Sequence, residues 1–197
     1  MNHLAHALLA GDDSDLVFGG LLADFVRGAP DPALPAAVRA GIRLHRRIDQ
    51  YTDAHPVVTA ARARFAPPLR RYAGILLDVW FDHCLAREFP RWSALPLAAF
   101  SARVQDLLIA RAASMPPRMH DFVRYMQARD LPAAYADRGE IAATLVGLSR
   151  RLRHANPLAT ALPALVADDA ALIRHFRDFF PALIAAAATL RAGLIEP

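Results

Sequence analysis

Along the chain, apolar positions recur every three to four residues, and no stretch shows the strict two-residue alternation of a half-buried strand. That period predicts helices. Pro35 opens one at its first position, because its fixed φ suits a helix start and its missing N–H is not needed there. Val38, Ile42, His45 and Asp49 then follow on one face, so a face that carries core residues also carries polar chemistry. Arg39, Arg43, Arg46 and Arg47 fall mostly on the opposite or flanking side. A second helix is predicted from about Leu69 to Glu88. There Leu69, Tyr72, Leu76, Val79, Trp80 and His83 share a stripe while Ile75, Phe81 and Leu85 cover much of the remainder, so it should be buried on several sides. Further helical segments are expected after Pro96, Pro117, Arg138, Pro157 and Asp168. The first of these has a core face of Phe100, Val104, Leu107 and Leu108; the last carries Leu172, Phe176, Phe179, Phe180 and Leu183, and Pro181 should bend or break it. With no internal repeat or Gly/Ser tether, the expectation is a single all-α domain over residues 1–197, packed as one compact bundle.

Composition narrows the chemistry. Hydrophobic residues make up 55% of the chain, yet every apolar run is cut by a charge or proline. None approaches the roughly 18 residues that a membrane span needs, so no membrane segment is expected. The start, MNHLAHALLAGDDSD, lacks a basic lead and turns acidic at once, which argues against a secretory signal and for the cytoplasm. A single cysteine, Cys84, closes no internal disulfide and fits a reducing compartment. All 23 Lys+Arg positions are arginine, which excludes a Walker A lysine, a Schiff base and a Ser-Lys dyad. The net charge of +4 fits an acidic partner, while no nucleic-acid recognition motif accompanies the arginines, so no nucleic acid is expected.

The strongest local signals are HRRID at His45 to Asp49 and LDVWFDH at Leu77 to His83. His45 and Asp49 lie four apart and so share a helix face, as do Asp78 and Asp82. Carboxylates on an otherwise apolar helix are costly to bury unless a metal or an arginine compensates them. His and Asp donors without a thiolate cluster suit Mn, Fe, Mg or Zn in a catalytic site. The structural alternatives stay open: Asp82 as a cap or as a partner of Arg46, and His83 as a core histidine. Asp24 sits in an apolar stretch, GGLLADFVRG, where a buried acid would need a cation or a facing arginine such as Arg27. His6 lies on the apolar side of NHLAHA with Leu9 and is placed to reach the same site. Arg46 and Arg47 are candidates for a bidentate phosphate contact. No GxSxG surrounds a serine, and Cys84 next to His83 is no dyad, because neighbours on a helix point about 100° apart.

The order and spacing of MNHLAH, LLADFVRG, GIRLHRRID followed by Thr52-Asp53, and LDVWFDH resemble the acyl carrier protein phosphodiesterase family. LSRRLR at Leu148 to Arg153 and FRDFFPAL at Phe176 to Leu183 are compatible with it. Two positions depart from the pattern: Gly20 stands where the family favours Asn, and His3 where an apolar residue is usual. The resemblance implies an HD-like all-helical fold that holds a divalent metal, Mn2+ foremost with Mg2+ or Fe2+ as alternatives. It also implies hydrolysis of 4′-phosphopantetheine from holo acyl carrier protein to give the apo form. Carried over, Asp24, His45, Asp78 and His83 are the first metal ligands, with His6, Asp49 and Asp82 as second choices. Asp49 and Asp82 would accept the proton, and Arg46 or Arg47 would hold the phosphate. The His-Asp dipeptide of HD enzymes stands reversed here, as Asp82-His83. The partner would be acyl carrier protein, met by Arg39, Arg43, Arg62 and Arg64. An HD-type nucleotide phosphohydrolase, with Trp80 or Tyr51 stacking a base, and a non-catalytic module binding an acidic partner remain the alternatives.

Overall fold

The computed structural model describes residues 1–195 and, among them, contains helices and no strand. The helices are α1 (His3–Leu9), α2 (Ser14–Leu22), α3 (Ala36–Ala54), α4 (Pro56–Ala63), α5 (Ala73–Arg87), α6 (Leu97–Ala110), α7 (Pro117–Ala128), α8 (Arg138–Arg151), α9 (Leu162–Ala167) and α10 (Asp169–Ile195). Short 3-10 turns join several of them, including Ala23–Phe25 after α2 and Ala133–Ala136 before α8.

The boundaries follow from local chemistry. Pro35 is the N-cap of α3, and α3 ends where Pro56 forces the preceding residue out of helical geometry. His55 then caps α4, its Nδ1 accepting the Val57 N–H at 3.3 Å, while Pro56 occupies a position whose donor is not required. Asp13 and Asp137 cap α2 and α8 in the same way, each accepting from two following backbone amides.

α5 is the central element. Eleven of its residues are buried, among them Trp80, Phe81 and Cys84, which matches the many-sided burial expected of this stretch. The helix starts later than the periodicity predicts, because Leu69–Tyr72 tightens into a 3-10 turn that precedes the regular helix. The segment after Pro157 is likewise only a 3-10 turn, Leu158–Thr160, before α9. Pro181 does not end the last helix, which runs through it to Ile195. The reason is packing. Phe179, Phe180 and Leu183 are fully buried on either side of the proline, while Pro181 itself lies exposed. That anchoring offsets the roughly 3 kcal/mol that an interior proline costs a helix.

One continuous hydrophobic core links these helices, and no described helix is long and apolar enough to cross a membrane. α2 and α3 cross closely. Gly19 and Gly41 face each other there, and a β-carbon on Gly41 would lie 2.4 Å from the Leu16 carbonyl oxygen. This contact fixes how far α3, with HRRID on it, stands from the N-terminal helices.

Candidate metal centre

His6 is buried on α1, a helix of two turns that is too short to be stable alone. Asn2, its N-cap, makes no side-chain cap, and Asp82 of α5 supplies one instead. The Leu4 N–H donates to Asp82 Oδ2 at 2.8 Å and the Ala5 N–H to Oδ1 at 3.2 Å. Burial pushes the Asp82 acid up to about 7 despite these two donors. Both carboxylate oxygens are thereby committed to α1, and Asp82 holds the helix that carries His6.

α3 brings His45 and Asp49 to the same place. The rings of His6 and His45 stack, with centroids 3.7 Å apart and planes 14° from parallel. Asp49 reaches both: Oδ1 lies 3.1 Å from His6 Nε2, and Oδ2 lies 3.1 Å from His45 Nε2. Donor atoms from His6, His45 and Asp49 all fall within 4.8 Å of one another. Asp24, on the turn after α2, adds Oδ1 at 3.6 Å from His45 Nε2 and Oδ2 at 3.7 Å from His3 Nδ1. The Met1 α-ammonium closes the other side, 2.9 Å from Asp78 Oδ1 and 3.6 Å from Asp49 Oδ1.

The protonation states of His6 and Asp49 favour cation binding, while the Met1 ammonium beside Asp49 opposes it. Burial drives His6 down to about 4, reinforced by His45 and opposed by Asp49, so its ring is neutral at pH 7 with a lone pair to offer. His3 is also lowered to about 4 by burial, against the pull of Asp24. Burial opposes charge on Asp49, yet contacts with His45 and His6 outweigh it and hold the carboxyl well below its usual range. The Met1 amine is raised to about 10, because Asp78 and Asp49 overcome its desolvation.

Among the described residues, neither nitrogen of His6 nor Nδ1 of His45 has a hydrogen-bond partner. His6 Nε2 lies close to Asp49, but off the line a hydrogen bond requires. Buried polar atoms that converge without bonding one another need a third body. Two imidazoles and a carboxylate in a pocket edged by Asp24 and Asp78 fit a divalent cation of the Mn, Fe or Zn type.

The sequence candidates thus divide. The fold brings together His6, His45, Asp49 and Asp24, with Asp78 adjacent through the Met1 ammonium. Asp24 is not buried in its apolar stretch, since its side chain is 46% exposed where the chain turns out of α2. His83 lies elsewhere. Its Nδ1 is 2.7 Å from the Tyr135 carbonyl oxygen, and its ring packs on Trp80. With Asp82 facing α1, the roughly 100° step between neighbours sends His83 to a different wall of the core. Arg46 donates to the Gly28 and Val26 carbonyls at 2.6 and 2.9 Å and so ties down the loop after Asp24, while Arg47 is exposed. Arg62 and Arg64 are paired with Asp53 and Asp168. Trp80 is fully buried and cannot stack a base. Sequence reasoning did not anticipate the Met1 ammonium or the contact of His3 with Asp24, because neither shows in any local spacing.

Fold and site together define an all-helical protein in which two buried histidines and the half-exposed Asp49 form a cluster able to hold a metal ion. Residues 1–183 match the family described as Acyl carrier protein phosphodiesterase, and the chain belongs to that family. It is 37% identical over 188 residues to the acyl carrier protein phosphodiesterase of Escherichia coli O157:H7, covering 95% of this chain and 97% of that protein. To the protein of the same name from Escherichia coli O45:K1 (strain S88 / ExPEC) it is 36% identical over 185 residues, covering 93% and 96%. No solved structure gives a significant match.

Proposed function

We propose that the protein is a metal-dependent phosphodiesterase that removes 4′-phosphopantetheine from holo acyl carrier protein and leaves the apo form. The observation that carries this reading is the cluster of His6, His45 and Asp49, with nitrogens of the two buried histidines left unbonded, on a chain of this family. A divalent cation bound there, Mn2+ by the family resemblance, would supply Lewis acidity and an activated water near neutral pH.

The chain's own residues do the rest. His6, neutral at pH 7, and His45 offer nitrogen donors, and Asp49 stays ionised between them. Asp82 acts at one remove by fixing α1, and the Asp78 carboxylate is balanced by the Met1 ammonium. Asp24, half-exposed beside His45, is the carboxylate placed to take the proton of the attacking water. The water oxygen bonds to phosphorus and the bond from phosphorus to the serine oxygen breaks. That oxygen leaves as the serine hydroxyl, taking the proton that Asp24 received from the water. The net charge of +4 favours encounter with an acidic carrier protein.

The test is intact-protein mass spectrometry on holo acyl carrier protein. Purified enzyme should produce the apo mass, chelator should stop it, and added Mn2+ should restore it. A chelated protein that keeps full turnover, or no apo product under any metal, would reject the reading. It would leave a non-catalytic module for an acidic partner as the alternative.

A further inference from the structure

Beside the metal cluster a groove opens. One cavity of about 340 Å³ is lined by Met1, His3, Asp24, Asp78, Phe122 and Arg151 among others. A second, of about 620 Å³, shares Asp24, Phe25, Phe122 and Arg151 with it and continues to Arg27, Arg118 and Tyr125. The shared walls make the two adjoin as one groove, which borders the cluster through Asp24, the neighbour of His45, and through Asp78, while His6, His45 and Asp49 line neither cavity. Cavities of roughly 300–1,000 Å³ are the size that takes a small-molecule group.

Its lining is mixed in a specific way. Phe25 and Phe122 form an aromatic wall, with centroids 5.5 Å apart, and His3 packs on Phe122 at 4.5 Å. Arg27, Arg118 and Arg151 are exposed. None of the three has a carboxylate within ion-pair distance among the described residues, since Asp24 turns to His3 and His45 and Asp121 turns to Arg124. Other arginines, Arg43 and Arg47 among them, are also exposed without an acid partner, so what sets these three apart is that they border one aromatic-walled cavity. Arginines left unpaired around an aromatic trough suit an elongated ligand with an anionic head and a part-apolar body.

We infer that this groove seats the phosphopantetheine arm, with Arg151 holding its phosphate and Phe25, Phe122 and Tyr125 lying against the pantetheine body. The inference rests on the proposed function and adds a specificity residue to it. Arg151 is singled out because it borders the inner cavity beside Asp24 and Asp78 as well as the outer one, whereas Arg27 and Arg118 border only the outer one. It replaces Arg46 as the phosphate ligand, since Arg46 is occupied with two backbone carbonyls.

The experiment compares affinities for free 4′-phosphopantetheine and for pantetheine, by calorimetry on metal-loaded protein, in wild type and in Arg151→Ala. Wild type should prefer the phosphorylated form. The variant should lose about ten-fold or more of that preference while binding pantetheine and metal as before. Arg151→Lys should recover part of it, because lysine supplies the charge without the two-pronged contact. A merely structural arginine would weaken both ligands together, so an unchanged preference overturns the inference, as does a wild type that binds neither ligand. If Arg151→Ala does not fold, Phe122→Leu provides the second variant: it should weaken pantetheine itself, and equal pantetheine binding would remove the arm from the groove. The two readings fail separately. Wild-type protein that converts holo carrier to apo, with Arg151→Ala retaining the preference, rejects the groove and keeps the activity.

Discussion

Replacing Gly41 by alanine tests whether the α2/α3 crossing sets the geometry of the metal centre. Taken alone, Gly→Ala inside a helix should stabilise by up to about 1 kcal/mol. At Gly41 the added carbon would meet the Leu16 carbonyl oxygen at 2.4 Å and Gly19 Cα at 2.9 Å, against an ordinary contact of 3.4–4 Å. Both obstacles are backbone, so no side chain can swing aside and the helices must part by about 1 Å. Overpacking of this kind costs about 1–3 kcal/mol, which offsets the propensity gain and leaves a net loss of up to about 2 kcal/mol. His45 and Asp49 follow on the same helix, so the displacement also moves them relative to His6, beyond the roughly 0.5 Å that a working site tolerates. Urea unfolding should show the loss of stability, and calorimetric titration of Mn2+ into chelator-stripped protein should show at least about ten-fold weaker binding. Gly20→Ala is the internal control, because a β-carbon there meets nothing within 4 Å, and it should hold or raise stability with metal affinity unchanged. Should Gly41→Ala match Gly20→Ala in both measurements, the close crossing does not position the site.

Other substitutions separate ligands from supports. Asp49→Ala should abolish metal binding and turnover while circular dichroism stays helical; a folded variant with wild-type metal affinity would remove Asp49 from the centre. Asp82→Ala strands the buried Leu4 and Ala5 N–H groups, each at about 1–3 kcal/mol, so urea unfolding should show a loss of at least about 2 kcal/mol, with metal affinity weakened through His6. For pH, His6 falls from 6.5 in the free residue to about 4 in the fold, so between these values the unfolded chain takes up a proton that the folded chain refuses. Its share of stability is complete above pH 6.5 and is lost as pH drops to about 4, a swing on the order of 3 kcal/mol. Metal-free wild type should therefore lose stability faster than His6→Gln across that interval, and parallel curves would show that His6 titrates normally.

The helical class was legible from periodicity alone, because a 3.6-residue repeat is a property of the backbone and needs no partner. For the same reason HRRID announced that His45 and Asp49 share a face, and Pro35 marked where α3 begins. Pro181 shows the limit of such local rules: its cost is local, but the buried phenylalanines that outweigh it are held by other helices. The site shows it again. Nothing in the spacing tells that His6 stacks on His45, that Asp24 swings out of its apolar stretch, or that Arg46 is taken up by the Gly28 and Val26 carbonyls. Asp82 and His83 are neighbours in sequence, yet one caps α1 and the other meets Tyr135. Spacing along a helix sets the angle between two side chains, while what each then faces depends on which helices pack around it, and that is decided by the burial of the whole chain.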